Sequence, residues 1–228
     1  MKCDIKIMAV PTRMANVAYL CGQLGLTMQD VFVDYEMRHR PMYTSRGAFM
    51  LPHAEGITHR LVLQDDVKIA PNLQAFCDML VNRYPNDVIS LFHNQKHPLK
   101  NKPIPYSIRR TAVATGQGLI IPLKYLSAMY AYLDKHNPDY PHDDWYYSFY
   151  CKEFKIGMKV CIPNVVDSMT NEECPTEMFH TGSWEVKSIG FDNSDPMTHE
   201  WIDDTKNTVL SKTYAYGTLE MLLNNLNA

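Results

Sequence analysis

The chain has 228 residues, of which 46% are hydrophobic, and it carries a formal net charge of −3 at pH 7. This length suits one α/β domain, and the net acidity argues against a protein that only binds nucleic acid. No apolar run approaches the roughly 18 residues that span a bilayer, and residues 1–4 lead into a strand rather than a signal peptide. The six cysteines show neither CxxC pairs nor zinc spacing. We therefore expect reduced thiols and a cytoplasmic protein without membrane contact.

The first 92 residues alternate short strands with helices. Apolar runs bounded by proline or polar residues predict strands, whereas apolar residues at intervals of three and four predict helices. Pro11 ends the first strand, and Pro71 suits the first turn of a helix. The predicted strands are residues 5–10, 31–33, 60–64 and 88–92, and the predicted helices cover residues 17–24 and 71–84. Residues 41–51 are predicted as a polar helix or an ordered loop.

The second part of the chain begins with a basic, proline-rich segment. Pro98, Pro103 and Pro105 disfavour both a helix and a central strand, so residues 93–110 are predicted to form a long loop. Strands are then predicted at residues 116–121 and 158–162. The helices between them cover residues 126–133 and a segment that ends near residue 154. Residues 167–204 lose periodicity, which predicts an irregular tail or lid.

Alternating strands and helices predict a single α/β, Rossmann-like domain with a mainly parallel central sheet and helices on both faces. We divide it into residues 1–92, residues 93–166, an irregular tail or lid at 167–212, and a closing amphipathic helix at 213–228. The first strand is followed by Pro11-Thr12-Arg13-Met14 rather than by the glycine fingerprint of dinucleotide-binding folds. The sequence has no Walker-type phosphate loop either. Any nucleotide must therefore be bound by a structural element other than these two glycine-rich loops.

Charge is unevenly distributed along the chain. Residues 88–133 contain no acidic residue, and residues 134–204 are strongly acidic. This asymmetry suggests an anionic partner for the middle segment. The alternative is a solvated loop whose charge is neutralised across the fold. The basic residues of the middle segment are Lys96, Lys100, Lys102, Arg109, Arg110 and Lys124.

Two adjacent carboxylates directly follow the third predicted strand. Asp65 and Asp66 come after Leu61-Val62-Leu63-Gln64, and ligands of open α/β sheets bind outside the carboxyl ends of the strands. Paired carboxylates at that edge can hold a hard divalent cation through oxygen, and the cation can stabilise a leaving diphosphate. Adjacent side chains on an extended backbone point to opposite sides. We therefore expect the two aspartates to have different roles.

The run His59-Arg60-Leu61-Val62-Leu63-Gln64-Asp65-Asp66-Val67 resembles the metal-binding motif of nucleotide-sugar-dependent glycosyltransferases with the GT-A fold. It is most similar to the family-2 and family-25 types and to small viral or bacterial relatives. Their motif has a carboxylate at the last of three positions and usually one at the first, where this chain has Gln64. The resemblance implies that Asp66 binds Mn²⁺ or Mg²⁺ and that Asp65 contacts the nucleotide.

Other segments agree with this family in order and spacing over roughly residues 4–166. The resemblance makes residues 1–92 the half that binds the nucleotide sugar and residues 93–166 the acceptor side. It implies a nucleoside-diphosphate sugar as donor, with a UDP-sugar as the first choice. The residues that match the family's donor-binding positions are Pro11, Thr12, Arg13, Asp34, Arg46 and Asp65.

The motif His142-Asp143-Asp144-Trp145 resembles an acidic motif at the head of a helix, whose carboxylate acts as general base in inverting members. An acceptor hydroxyl is a poor nucleophile near neutral pH and needs such a base. Asp144 is the first choice and Asp143 the second, with capping of helix amides as the alternative. Trp145 is predicted to stack on a sugar or base, or to pack in the core. Some relatives have an additional metal ligand in the tail, which makes His180 a candidate.

The main hypothesis is a metal-dependent glycosyltransferase that transfers a sugar to a hydroxyl acceptor with inversion. Small viral relatives modify hydroxymethylated pyrimidines in DNA, and the phosphate backbone of such DNA would bind along the basic segment. A viral enzyme would act in the host cytoplasm. A bacterial surface glycan is the alternative acceptor. The other classes are a non-catalytic nucleic-acid-binding module and a metal-dependent nuclease or phosphatase. The predicted acceptor contacts are Lys100, Lys102, Arg109, Arg110 and Trp145.

Overall fold

The computed structural model describes residues 1–36, 41–93, 106–111, 116–136, 143–169 and 190–209, and for Pro41, Trp145 and residues 205–209 it describes the backbone only. The strands are β1 (Cys3–Ala9), β2 (Val31–Val33), β3 (His59–Gln64), β4 (Val67–Ile69), β5 (Val88–Ser90), β6 (Ser107–Thr111), β7 (Gly118–Pro122), β8 (Met158–Ile162), β9 (Val166–Ser168) and β10 (Ile202–Val209). The helices are α1 (Met14–Leu24), α2 (Pro41–Phe49), α3 (Leu73–Arg83), α4 (Leu123–His136) and α5 (Asp143–Glu153). Short 3₁₀ helices cover Pro11–Arg13, Met28–Asp30 and Pro196–Thr198. None of the helices in these ranges has the length and apolar character required to span a membrane.

The described strands form one sheet of eight and one of two. The order in the large sheet is β10-β6-β8-β5-β7-β3-β1-β2, and β4 pairs with β9 in the small one. Strands β1, β2 and β3 are mutually parallel, as are β5 and β8, whereas β7 is antiparallel to both of its neighbours. The predicted fold class is therefore confirmed: a mixed α/β fold with a large, mostly parallel central sheet flanked by helices.

Side chains of the central strands alternate between two apolar layers. Ile7 and Leu63 belong to one layer, which also contains residues of α1 and α3. Met8 and Val62 belong to the other, with residues of α2, α4 and α5. This alternation follows from the two-residue period of a strand. Because both faces are covered, β1 and β3 read as nearly continuous apolar runs, which made them predictable.

Local sequence signals specify the turn from α1 into β2. Gly25 ends α1 in the left-handed conformation, with a φ of 65°, and donates its N–H to the Cys21 carbonyl. Thr27 and Asp30 then form a capping box around the following 3₁₀ helix. The chain leaves this turn directly into β2. As a result, Asp34 lies one residue beyond the carboxyl end of an edge strand.

A buried arginine joins β1, β3 and the end of α2. Arg60 is 0% exposed, and its Nε and Nη2 atoms donate to the two carboxylate oxygens of Asp4 at 2.9 and 2.6 Å. Its Nη1 donates to the carbonyl oxygens of Phe49 and Leu51 at 2.8 and 2.5 Å, and Nη2 also reaches the Pro52 carbonyl at 3.3 Å. The guanidinium thus satisfies carbonyl groups that a helix end leaves without partners. Its fork geometry fixes α2 on the sheet.

Two segments that were predicted to be irregular contain strands. The loop prediction is wrong for residues 107–110, which belong to β6, because all of the prolines that disfavour a strand precede residue 106. The prediction of an irregular tail is wrong for residues 202–209, which form the edge strand β10. The sequence of β10 is mostly polar, so its strand character comes from pairing with β6. The predicted loop residues 94–105 and the closing helix at 213–228 lie outside the described residues.

Trp201 anchors the segment that precedes β10. Its side chain is buried, its ring centroid lies 4.8 Å from that of Phe76 on α3, and its Nε1 donates to the Pro196 carbonyl at 2.8 Å. Arg83 donates to the Trp201 carbonyl at 2.9 Å, and Tyr106 lies edge-on to the indole at 5.2 Å. The described part of the predicted tail or lid is therefore packed on α3 and on the start of β6.

Replacing Arg60 tests whether the buried fork stabilises the fold. The Arg60→Met variant removes both hydrogen bonds to the Asp4 carboxylate and leaves it only Lys6, at 3.9 Å, so we expect the free energy of unfolding to fall by about 3–5 kcal/mol in urea unfolding experiments. The matched control is Arg46→Met, because Arg46 forms a similar fork with Asp134, at 2.6 and 3.0 Å, but with side chains that are 40% and 50% exposed. The control should lose less than about 1 kcal/mol. Equal losses in the two variants would contradict this role of Arg60.

Candidate active site

The acid pair lies where the chain turns sharply between two strands. β3 ends at Gln64, Asp65 and Asp66 form the turn, and β4 begins at Val67. β4 pairs with β9 in antiparallel register, and the Asp66 carbonyl accepts the Met169 N–H at 2.8 Å. The predicted position of the pair at the carboxyl end of a central strand is confirmed. The small second sheet holds the turn in place.

Arg13 bridges the two carboxylates. It lies in the 3₁₀ turn that follows β1, and its Nη1 is 2.7 Å from Asp65 Oδ1 and 3.0 Å from Asp66 Oδ2. The other Asp65 oxygen accepts the Val10 N–H at 2.8 Å. The expectation that the two acids point to opposite sides is wrong, because they lie in a turn and not on an extended backbone. One arginine and two aspartates leave this triad with one net negative charge.

Burial makes the ionised form of Asp65 costly. Its side chain is only 5% exposed, and this burial raises the pKa of Asp65 to about 6, although the guanidinium of Arg13 acts to lower it and the negative charge of Asp66 adds to the rise. A carboxyl group with a strongly perturbed pKa is typical of functional sites. The shift follows mainly from the burial of the carboxyl group, which the nearby guanidinium of Arg13 only partly offsets.

Asp66 has an oxygen atom that suits a hard cation. Its Oδ1 is buried and has no hydrogen-bond partner among the described residues, whereas buried polar atoms normally have one. Mn²⁺ or Mg²⁺ would fit this oxygen, and Mg²⁺ is usually held by one or two carboxylates together with substrate phosphates. Within the described ranges, no group of three His, Cys, Asp or Glu side chains could hold a metal. The remaining ligands would have to come from the substrate, from water or from residues such as His180, which lies outside the described residues.

Three further donor-binding candidates share this edge of the sheet. Because β1, β2 and β3 are parallel neighbours, the residues that follow them all lie at the carboxyl edge, where α/β folds bind ligands. Pro11 and Thr12 follow β1 in the same turn as Arg13. Asp34 follows β2, is buried, and donates its N–H to the Ala9 carbonyl at 2.8 Å. It lies two strand spacings, about 10 Å, from β3.

A glycine brings the start of α5 close to the end of β3. A Cβ atom placed at Gly116 would lie 3.0 Å from Gln64 Nε2 and 3.3 Å from Asp143 Oδ1. Both side chains therefore lie against Gly116, closer than a larger residue would allow. Gln64 directly precedes the acid pair, so Asp143 joins the same edge of the sheet.

The two acids of α5 are in different surroundings. Asp143 is buried, and its Oδ1 accepts the N–H of Asp144 at 2.9 Å, which satisfies an amide at the start of the helix. Asp144 is half-buried. One turn later, the buried Tyr147 hydroxyl lies 2.7 Å from Ser45 Oγ and 3.0 Å from the Tyr130 hydroxyl. These contacts fix α5 against α2 and α4. The side chain of Trp145 is outside the described part of the structure.

The contacts of Arg46 are on α4 and not at the acid pair. Besides its fork with Asp134, the guanidinium lies over the Tyr130 ring, 4.9 Å from the centroid. The fork is exposed to solvent on both sides. A role in donor binding would therefore require Arg46 to leave Asp134.

The described arginines of the middle segment do not lie at the acid pair. Arg109 and Arg110 lie on β6, which is four strand spacings, about 19 Å, from β3. Arg109 Nε is 3.4 Å from Asp204 Oδ2 and donates to Ser107 Oγ at 3.1 Å. Lys100 and Lys102 lie outside the described residues. Their predicted contacts with an acceptor stay predictions.

Sequence reasoning missed the contact that defines the site. Arg13 and Asp65 are 52 residues apart, and no periodicity or motif spacing links them. The available signal was chemical: an arginine follows one buried strand, and two acids that need a counter-ion follow another. The closeness of Asp143 to Gln64 had no sequence signal, although Gly116 marks a position where side chains approach the backbone.

Comparison with protein-family models and with curated proteins found no match to this chain. The interpretation of the site therefore depends on its own residues and their geometry.

Asp65 should make the protein less stable as the pH rises in metal-free buffer. Its pKa in the folded protein is about 6, compared with an ordinary value of 3.8, so between these values folding takes up a proton. The free energy of unfolding then falls with rising pH across this window, by up to about 3 kcal/mol, and stays low above it. Urea unfolding with EDTA at about pH 4 and about pH 7 measures the effect.

The control for this pH dependence is the Asp65→Asn variant, which cannot ionise at this position. It should lack the decrease that the wild-type protein shows. Parallel pH profiles for the two proteins would show that burial does not perturb Asp65.

Proposed function

We propose that this protein is a metal-dependent glycosyltransferase, which transfers a sugar from a nucleoside-diphosphate donor to a hydroxyl acceptor. The observation that carries the proposal is that acids from two elements, the turn after β3 and the start of α5, lie at one edge of the sheet. Asp65 and Asp66 follow β3, and Asp143 of α5 lies beside Gln64 at Gly116. Open α/β sheets bind their ligands at this edge. The resemblance of the Asp65-Asp66 segment to GT-A glycosyltransferases supports the same reaction class.

Donor binding is assigned to the turns that follow β1, β2 and β3. The guanidinium of Arg13 suits phosphate oxygens, and Asp34, at the neighbouring strand, suits hydroxyl or base groups of the nucleoside. Asp66 would hold Mn²⁺ or Mg²⁺ through its unpartnered Oδ1. When bound, the cation supplies positive charge that stabilises the leaving diphosphate. A UDP-sugar is the first donor to test.

The acids at the start of α5 are assigned to the acceptor. Asp143 is buried and already accepts the Asp144 N–H, which suits a positioning role. Asp144 is half-buried, and we assign it as the base that takes the proton of the acceptor hydroxyl. As the bond from the acceptor oxygen to the anomeric carbon forms, the bond to the diphosphate oxygen breaks, and the diphosphate leaves with the electron pair. The product has inverted configuration.

The acceptor that we propose is a hydroxymethylated pyrimidine in DNA. Its support is the run of basic residues without acids in the middle of the sequence, since phosphate contacts dominate the affinity for DNA. Arg109 and Arg110 are separated from the acid pair by four strand spacings, so we assign them to phosphates away from the reacting base. A bacterial surface glycan is the alternative that an acceptor panel would identify.

Release of nucleoside diphosphate tests the reaction class. The protein is incubated with Mn²⁺ and a panel of UDP-, GDP- and other nucleotide sugars, with and without hydroxymethylated DNA. We expect release from one donor, and faster release when the acceptor is present. The absence of both donor binding and release across the panel would rule out the transferase.

Asp66→Asn tests the assignment of the acid pair. We expect turnover to fall by about 100-fold or more, because the leaving group loses its charge stabilisation. Asp203→Asn is the matched control: it makes the same chemical change in the Asp203-Asp204 pair, which lies on β10, and it should keep turnover within about twofold. Equal effects of the two substitutions would contradict a special role for Asp66.

Asp144→Asn and Asp143→Asn separate the base from its neighbour. We expect Asp144→Asn to lower kcat by about 100-fold or more, with little change in donor affinity, and to remove the acidic limb of the pH profile. Asp143→Asn should lower kcat but keep that limb. If only Asp143→Asn removes the limb, the base is Asp143 and the two roles are exchanged.

A further inference from the structure

The bridge that Arg13 makes differs from the other described arginine–aspartate contacts of the chain. Arg60 and Arg46 each meet a single carboxylate with two nitrogen atoms. Arg13 contacts two carboxylates through the same Nη1 atom, at 2.7 and 3.0 Å. A fork completes the hydrogen bonding of one carboxylate. Here both oxygens of Asp65 accept a hydrogen bond, whereas Asp66 Oδ1 has no hydrogen-bond partner among the described residues.

The contact between Arg13 and the acid pair leaves both the charge and the hydrogen bonding of the pair incompletely balanced. The triad keeps one net negative charge in surroundings where Arg13 and Asp65 are 9% and 5% exposed. Asp66 Oδ1 is buried and has no partner among the described residues. Charge interactions at contact distance are much stronger in such surroundings than in water. A divalent cation would match the two carboxylates better than one guanidinium does.

The position of Arg13 in the chain allows its guanidinium to leave the acid pair. The residue belongs to a three-residue 3₁₀ turn, and its N–H is bonded to the Val10 carbonyl at 3.1 Å, so the backbone is held while the side chain projects from the end of a turn. The arginine side chain has several rotatable bonds. Rotation about these bonds changes the position of the head group while the backbone of the turn stays in place.

We propose that Arg13 is the resident counter-ion of the acid pair and that a divalent cation replaces it there, which frees the guanidinium to bind the diphosphate of the donor. The inference rests on the proposed function, because the cation and the diphosphate are those of the transferase. Arg13 is then a positioning residue with two states. It keeps the two carboxylates together in the metal-free protein, and it contacts donor phosphate once the metal is in place.

Binding of Mn²⁺ alone tests this exchange without any donor or turnover. Free Mn²⁺ is measured by electron paramagnetic resonance for wild type, Arg13→Gln and Arg13→Lys. Because a competing positive charge is removed, Arg13→Gln should bind Mn²⁺ at least about tenfold more tightly than wild type. Arg13→Lys keeps the charge and should stay within about threefold of wild type. Equal or weaker binding by Arg13→Gln would overturn the proposal.

Two control variants locate the effect. Arg83→Gln removes an arginine of α3 that donates to the Trp201 carbonyl, and its affinity for Mn²⁺ should equal that of wild type. Adding Asp66→Asn to Arg13→Gln should abolish the tighter binding. If Arg83→Gln also tightens binding, or if the double variant keeps the tight site, the cation binds elsewhere and the proposal is wrong.

A measurement on the unmodified chain covers the case in which Arg13→Gln does not fold. The side-chain Nε–H signal of Arg13 is followed by nitrogen-15 NMR during titration with Mg²⁺, and it is assigned by its loss in Arg13→Lys. We expect this signal to shift with saturation while that of Arg60 stays in place. An unchanged Arg13 signal at saturating Mg²⁺ would overturn the exchange.

The two proposals fail in different ways. If the exchange is observed but no nucleotide sugar is bound or cleaved, the acid pair is a cation site of another activity. If donor turnover is observed but Arg13→Gln binds Mn²⁺ no more tightly than wild type, the transferase stands and the counter-ion role of Arg13 does not.

Discussion

The buried fork between Arg60 and Asp4 is the contact on which the geometry of the candidate site depends. A buried ion pair is favourable only when its remaining hydrogen bonds are made, and here the guanidinium also satisfies carbonyl groups at the end of α2. The pair holds β1 beside β3 near their amino ends. The parallel register then brings the turn after β1 and the turn after β3 to the same edge, where Arg13 meets Asp65 and Asp66.

The two ends of β1 and β3 therefore carry ion pairs of different character. At the amino end, Arg60 meets the Asp4 carboxylate with two nitrogen atoms, and Lys6 lies 3.9 Å from the same carboxylate. At the carboxyl end, one arginine is shared by two acids, and Asp66 Oδ1 has no partner among the described residues. Proteins retain such incompletely satisfied groups mainly where they serve a function. This contrast separates a pair that stabilises the fold from one that is available for a ligand.

The fold also divides residues that are grouped in the sequence. Arg109 and Arg110 belong to the basic middle segment, but they lie on β6, and Arg109 is close to Asp204 of β10. One acid of residues 134–204 is thus paired with one base of residues 88–133. Part of the charge asymmetry along the chain is neutralised across the sheet, as the solvated-loop alternative anticipated. In contrast, the fold brings Asp143 of α5 to the site, although it is distant in sequence from Asp65 and Asp66.

Periodicity and turn residues determined the alternation of strands and helices, and with it the position of Asp65 and Asp66 at the end of a buried strand. These features depend on local spacing and burial, which a sequence encodes directly. Strands β6 and β10 were not predictable, because their strand character comes from pairing with each other and with β8. Only the tertiary structure decided that Arg13 bridges the acids and that Arg46 does not reach them. Contacts across 52 residues depend on strand order and register, which no local pattern specifies.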